Sequence, residues 1–150
     1  MNKACFLKCR SDSIRNNYII NINDIIYIMG SNNPVYSNII QTVIWPISGI
    51  SESYSNLKSQ IKKYSKLLKN KEFIEIPVYL SSFNNIDELE QTYLYIDINK
   101  IVECKINRDN GFMHNETVYV EYTIYYTDRG DNFSFYQTPK NMQNIFFNNT

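Results

Sequence analysis

The chain has 150 residues, 43% hydrophobic and 15% aromatic, which is enough apolar surface for a packed core and argues against wholesale disorder. Its 15 basic and 15 acidic residues leave a formal net charge of +0, which disfavours a free-standing nucleic-acid binder while leaving room for a local basic patch. No apolar run approaches the ~20 residues that span a bilayer, and the N-terminal apolar run is broken at Lys8, so it makes a poor signal peptide.

Cys5 to Cys9, CFLKC, reads as a short first strand with Cys5, Leu7 and Cys9 on one face, and polar Ser11 to Asn17 as its return. Tyr18 to Ile28, YIININDIIYI, alternates isoleucine with asparagine, breaks at Asn23-Asp24 and resumes as a second apolar run. A bulge or tight turn at the break gives strand, kink, strand. Gly30-Ser31-Asn32-Asn33-Pro34 is a loop signal. Asn38 to Ile47, NIIQTVIWPI, reads as one further strand, with Trp45 anchored in the core and Pro46 at a sheet edge or strand end.

Ser51 to Lys69 reads as one long amphipathic helix, because Tyr54, Leu57, Ile61, Tyr64 and Leu68 recur at spacings of three and four. Ser51 or Ser53 caps it, Glu52 suits the positive end of its dipole, and Lys62, Lys63, Lys66 and Lys69 gather where the dipole favours cations. Asn70 and Lys71 follow as a separator. Glu72 to Leu80 is a strand whose Pro77 marks an edge or bulge, and in Ser81 to Gln91 Asn85 is placed to cap one helical turn. Tyr95 to Ile106, YIDINKIVECKI, repeats the earlier pattern: Ile20-Asn21-Ile22-Asn23-Asp24-Ile25-Ile26 aligns with Ile96-Asp97-Ile98-Asn99-Lys100-Ile101-Val102.

Arg108 to Glu116 reads as a loop turning at Asn110-Gly111. Thr117 to Thr127 is the strongest strand, Val118, Val120, Tyr122 and Ile124 alternating against Tyr119, Glu121 and Thr123. Asp128 to Asn132 turns it into Phe133 to Gln137. Thr138 then caps a short C-terminal helix opened by Pro139, with Met142, Ile145 and Phe146 as its buried face. The fold expected is α+β, mainly antiparallel sheet, in a single domain over residues 1–150. Two related halves, 1–69 and 72–150, would follow if the repeat records an internal duplication.

Two resemblances attach to these stretches. Ile96-Asp97-Ile98-Asn99-Lys100-Ile101, Asp128-Arg129-Gly130 and Thr138-Pro139 together resemble the small strand-plus-helix unit of the flagellar and swarming-motility family, mainly over Tyr95 to Phe147. The first half departs from that unit in lacking the glycine hairpin turn and in its longer helix. Ile22-Asn23-Asp24-Ile25-Ile26-Tyr27-Ile28 followed by Ser31-Asn32-Asn33 resembles the LytTR class of DNA-binding domains. No functional residue is carried over from either.

The sequence singles out no catalytic, metal or cofactor residue. His114, the only histidine, sits beside Asn115 in a polar stretch without a nucleophile motif. Cys5 and Cys9 have no second ligand pair, and with Cys104 they form an odd, sparse set expected to stay reduced. Asp87, Glu88 and Glu90 are the only acidic cluster, and a helix start accounts for the first two. Four glycines leave little for a phosphate loop. Arg129-Gly130-Asp131, a tripeptide that integrins recognise, is first a hairpin turn here.

Tyrosine is the remaining signal, with 13 residues, and the candidate interaction surface is Tyr93, Tyr95, Tyr119, Tyr125 and Tyr126. The alternative is a basic face of Lys58, Lys62, Lys63, Lys66 and Lys69. Asn, Ile, Lys and Tyr all have A/T-rich codons, which points to a low-GC genome. The expectation is a non-enzymatic interaction or assembly protein, self-associating or bound to protein partners. Its best setting is an accessory virion or assembly component of a tailed phage, in the host cytoplasm or the particle. A nucleic-acid-binding regulator and a phage-encoded, ligand-sequestering inhibitor of host defence are the alternatives.

Overall fold

Strands form wherever the period-2 pattern runs, and the two helices form where spacings of three and four replace it. The computed structural model describes residues 5–11, 16–31, 38–80 and 92–147. In chain order these are β1 (Phe6–Ser11), β2 (Asn16–Asn21), β3 (Ile25–Gly30), β4 (Asn38–Thr42), β5 (Pro46–Ile50), α1 (Tyr54–Ser65), β6 (Phe73–Val78), β7 (Thr92–Asp97), β8 (Glu103–His114), β9 (Thr117–Tyr125), β10 (Asn132–Gln137) and α2 (Pro139–Phe147). The fold is therefore α+β and mostly antiparallel. One sheet has seven strands in the order β2-β1-β5-β4-β3-β7-β6, the other three in the order β10-β9-β8. Neither described helix is long and apolar enough to cross a membrane. The chain divides into two compact units, Met1–Glu75 with Tyr93–Asn99, and Ile76–Thr92 with Lys100–Thr150.

In the first unit α1 covers one sheet face. Leu7, Ile22, Ile25, Ile28, Ile40 and Ile50 are buried together with Tyr54, Leu57 and Ile61 of the helix stripe. Each such side chain contributes about 1.5–3 kcal/mol relative to an exposed one. Cys5, Leu7 and Cys9 share the buried face as the alternation requires.

The helix is shorter than its apolar stripe. It runs over Tyr54–Ser65, not 51–69. Ser53 is the cap, its hydroxyl accepting from the Asn56 N–H at 3.1 Å. Glu52 instead accepts from the Arg10 N–H at 2.8 Å. At the far end the Leu67 and Leu68 N–H groups bond back three residues, and Asn70 takes φ 62, so the chain leaves the helix in tight turns while still burying Leu68.

Asn38 to Ile47 is not one strand, and Trp45 is not in the core. The chain reverses at Thr42, whose hydroxyl accepts from the Ile44 and Trp45 N–H groups, both at 3.2 Å, and donates to the Trp45 carbonyl at 2.9 Å. β4 and β5 are thus a hairpin with an apolar tip, and Val43, Ile44 and Trp45 are 41%, 80% and 59% exposed. Unbroken apolar residues across the reversal hid the turn. Within β5, Gly49 takes φ 68 where the β4–β5 register slips by one residue, a bulge that a residue with a Cβ enters at a cost.

The repeated stretch folds alike in its two copies. A 3-10 turn, Ile22–Asp24, follows β2, and another, Ile98–Lys100, follows β7. Asn21 Oδ1 accepts from the Asn23 N–H at 3.0 Å, and the aligned Asp97 Oδ1 accepts from the Asn99 N–H at 3.1 Å. Each kink is therefore set by the same local side-chain-to-backbone bond. The copies then differ: β3 stays in the seven-stranded sheet, whereas β8 joins the three-stranded one.

The second unit also departs from the sequence expectation. Arg108 to Glu116 is mostly strand, and Asn110-Gly111 is not the hairpin turn. The turn is Asn115-Glu116, with φ 49 and 67, the doubly positive geometry of a two-residue β-hairpin. Asn107 pairs with Glu121 and Phe112 with Tyr119, so Arg108 to Gly111 bulge out opposite Val120 alone. Glu121 holds the bulge by accepting from Asn110 Nδ2 at 2.8 Å. Gly111 is needed there, because a Cβ would lie 2.6 Å from the Tyr119 carbonyl oxygen. Val120, Tyr122, Ile124, Phe135 and Met142 are buried in this unit, and Thr138 Oγ1 caps α2 by accepting from the Asn141 N–H at 3.2 Å. Ser81 to Gln91, with its acidic cluster, and Asn32 to Pro34 lie outside the described residues.

Candidate functional site

The second unit contains a groove of about 580 Å³. Strand alternation supplies its floor: Cys104, Ile106 and Arg108 of β8 face the same way as Tyr122, which pairs with Ile106. Pro139, Met142, Phe146 and Phe147 of α2 line it from the helix side. β8 is the edge of its sheet and its apolar residues there stay wet, with Val102 63%, Ile106 51% and Phe147 76% exposed. The polar groups are few. Burial and then Glu103 push the Cys104 thiol up, and burial raises the Tyr122 hydroxyl while the Arg108 charge opposes it. Both groups are held neutral, suited to lining a ligand rather than attacking one.

Sequence reasoning missed this groove. The available signal was the excess of apolar residues in the last helix, where Ile145, Phe146 and Phe147 are more than one buried stripe needs.

The tyrosines fall in two groups. Tyr95 is buried, stacked on Phe73 at 5.2 Å, with Lys58 Nζ 5.5 Å from its ring centroid. Tyr93 is half-buried and stacked on Tyr54 at 5.4 Å. Both belong to the packing of the first unit. In the second, Tyr119 and Tyr125 lie on the face of β9 opposite the groove, Tyr119 stacked on Phe112 at 5.0 Å and Tyr125 under Lys105 Nζ at 5.1 Å. Tyr126, also half-buried, begins the turn to β10, its N–H bonded to the Asp131 carbonyl.

The lysines divide as well. Lys58 Nζ donates to Glu75 Oε2 at 2.6 Å, and Tyr54 donates to the same oxygen at 2.8 Å, so Lys58 is neutralised in place. Burial, then the Glu75 contact, drives the Tyr54 hydroxyl far up, which keeps the phenol protonated near neutral pH. Lys62, Lys63, Lys66 and Lys69 are exposed, the first two in the last turn of α1 as its dipole favours. His114 ends β8 with Asn115 Nδ2 at 3.2 Å from its ring. Asp131 accepts from the Thr127 hydroxyl at 2.9 Å, so the carboxylate of Arg129-Gly130-Asp131 is engaged within its own turn. Among the described residues no three His, Cys, Asp or Glu side chains converge as metal ligands.

Burial, reinforced by Glu52, pushes the Cys9 thiol up to about 12 from its ordinary 9.0. Above pH ~9 the unfolded chain loses this proton while the folded chain keeps it, so the unfolded state binds fewer protons and stability falls as pH rises toward the folded value. The expected slope is at most about 1.4 kcal/mol per pH unit from this group. Urea midpoints measured from neutral to alkaline pH check it, and Cys9→Ala should flatten the slope whatever it does to the midpoint itself.

Comparison of the chain with protein-family models, curated proteins and solved structures gave no match.

Proposed function

We propose that this chain is a non-enzymatic interaction protein that associates through the apolar tip of the β4–β5 hairpin. The observation that carries this reading is the tip itself. Single exposed apolar residues are ordinary on any surface. Here three stand consecutively, one of them the only tryptophan, on a backbone that Thr42 pins internally and that the Val43 N–H ties to the Asp24 carbonyl at 2.9 Å. A rigid, preorganised apolar knob loses little entropy when it enters a partner's pocket, and tryptophan is among the residues most enriched in binding hot spots.

The groups nearest to chemistry support the non-enzymatic part of the reading, since the Cys9, Cys104 and Tyr54 protons are all held on by burial. The setting proposed is particle assembly in a tailed phage with a low-GC genome, and this part rests on composition.

Light scattering coupled to size exclusion tests association directly. The expected result is an oligomer insensitive to salt that Ile44→Asp or Trp45→Ser converts to monomer with unchanged circular dichroism. Trp45 fluorescence should shift to the blue on concentration and become shielded from acrylamide. A wild-type chain that stays monomeric, with Trp45 equally quenchable at every concentration, would overturn self-association through the tip.

A further inference from the structure

The groove of the second unit is apolar along its length and cationic at one end. Cys104 and Ile106 form its floor, Met142 and Phe146 face them, and Arg108 stands where β8 begins to bulge. A bulge beside a concavity commonly serves to aim a side chain. Arg108 belongs to none of the ion pairs Lys58–Glu75, Lys71–Asp97 and Arg129–Asp131. Glu103 borders the groove five residues and about 17 Å of strand away, and alternation turns its side chain to the face of Lys105 and Tyr125, leaving Arg108 as the charge that β8 turns toward the groove. The site thus has the polarity of a long apolar molecule with one negative end.

We propose that this groove binds a single-chain amphiphile with an anionic head, a fatty carboxylate in the first instance, its chain lying between Ile106 and Phe146 and its head on Arg108. Guanidinium meets carboxylate with two parallel hydrogen bonds, a geometry an ammonium cannot match. The volume of about 580 Å³ falls within the range of small-molecule sites. An apolar chain would cover Val102, Ile106 and Phe147, which water now touches, and that burial drives the binding. The inference stands apart from association at the hairpin tip.

Titration calorimetry on the full chain with dodecanoate, below its micelle-forming concentration, tests the proposal against dodecyltrimethylammonium. Dodecanoate is expected to bind, and the cationic amphiphile to bind at least about tenfold more weakly, the value of one hydrogen-bonded charge pair. Arg108→Gln should cost dodecanoate about tenfold or more and abolish the preference between heads. Lys105→Gln, on the opposite strand face, should change neither. Methyl shifts of Ile106 and Met142 locate the ligand. Equal affinity for the two heads, indifference to Arg108→Gln, or no binding of dodecanoate overturns the proposal. Binding of an acidic amphipathic helix with no binding of dodecanoate would also overturn it and assign the groove to a protein partner.

Discussion

Asp97→Asn is expected to cost the first unit about 3–5 kcal/mol, the usual penalty for leaving a buried charge uncompensated. Asp97 is fully buried and its Oδ2 lies 3.0 Å from Lys71 Nζ, whose side chain is only 4% exposed. That carboxylate oxygen accepts no hydrogen bond, so the ion pair is its whole compensation. Lys71 Nζ also reaches the Ile25 carbonyl at 3.1 Å, so the ammonium joins the start of β3 to the end of β7. The other oxygen, Oδ1, accepts from the Glu72 N–H at 3.2 Å and the Asn99 N–H at 3.1 Å. An amide at this position keeps the turn, as Asn21 does in the first copy, but strands the lysine. Lys71→Met should be comparably harmful alone, and the double substitution should recover much of the loss. Urea unfolding of the four chains measures the coupling. A cost below about 1 kcal/mol for each single change would show that the pair behaves as a solvated surface bridge.

Gly30→Ala is expected to cost about 3 kcal/mol or more, a fall in melting temperature of roughly 6–12 °C for a chain of this size. Gly30 ends β3 with ordinary backbone angles, so the restriction is space. A Cβ there would overlap Asn38 Oδ1 and lie 2.5 Å from its Cγ. Asn38 is 2% exposed and cannot swing into water. Its Oδ1 accepts from the Ser31 N–H at 3.1 Å, and its Nδ2 donates to the Glu52 carbonyl at 2.5 Å, tying the strand pair to the entry of α1. Displacing the amide breaks both bonds in a buried place. The asparagine alone, changed to Ala, loses the same bonds without the clash, so Gly30→Ala combined with Asn38→Ala should cost less than the sum of the two. Additive effects would show that the strand end shifts as a whole to admit the methyl.

Neither Gly30 nor Asn38 can be read as a pair from the sequence, because one close approach between neighbouring strands leaves no periodic trace. Where a local rule acts alone, the sequence was legible. The Cys5-Leu7-Cys9 face, the α1 stripe, the Thr138-Pro139 start of α2 and the kink shared by the two copies all follow from spacing and capping. Reading failed where a stronger-looking signal stood next to the true one. Asn110-Gly111 outranks Asn115-Glu116 as a turn in any propensity scheme, yet the Tyr119 carbonyl and the Glu121 side chain make it a bulge. Val43-Ile44-Trp45 looks like a strand core and is a hairpin tip, because a single threonine hydroxyl supplies the bonds that a polar turn usually announces. Of the candidate surface, Tyr95 reads as a strand tyrosine of the kind enriched at interfaces, and it is buried, stacked on Phe73 with Lys58 over its ring. The groove arises from β8 and α2 together, elements far apart along the chain, and no single window contains it.

The ion pair between Lys71 and Asp97 has a mechanical side. Asn99 Nδ2 donates to the Asn70 carbonyl at 2.9 Å and the Ile98 N–H to the Glu72 carbonyl at 2.8 Å, so residues 70–72 and 97–99 are sewn together around it. Two of the points where the backbone passes between the units lie beside this seam, one three residues after it at Glu75 and one at its end at Asn99. Tension carried along the chain from one unit to the other therefore loads a short-range polar clasp before it reaches the isoleucine core. Such a clasp is stiff over tenths of an ångström and fails abruptly, whereas apolar packing yields gradually. Force applied at these two crossing points meets the clasp first, and a chain lacking the Lys71 ammonium would yield there sooner.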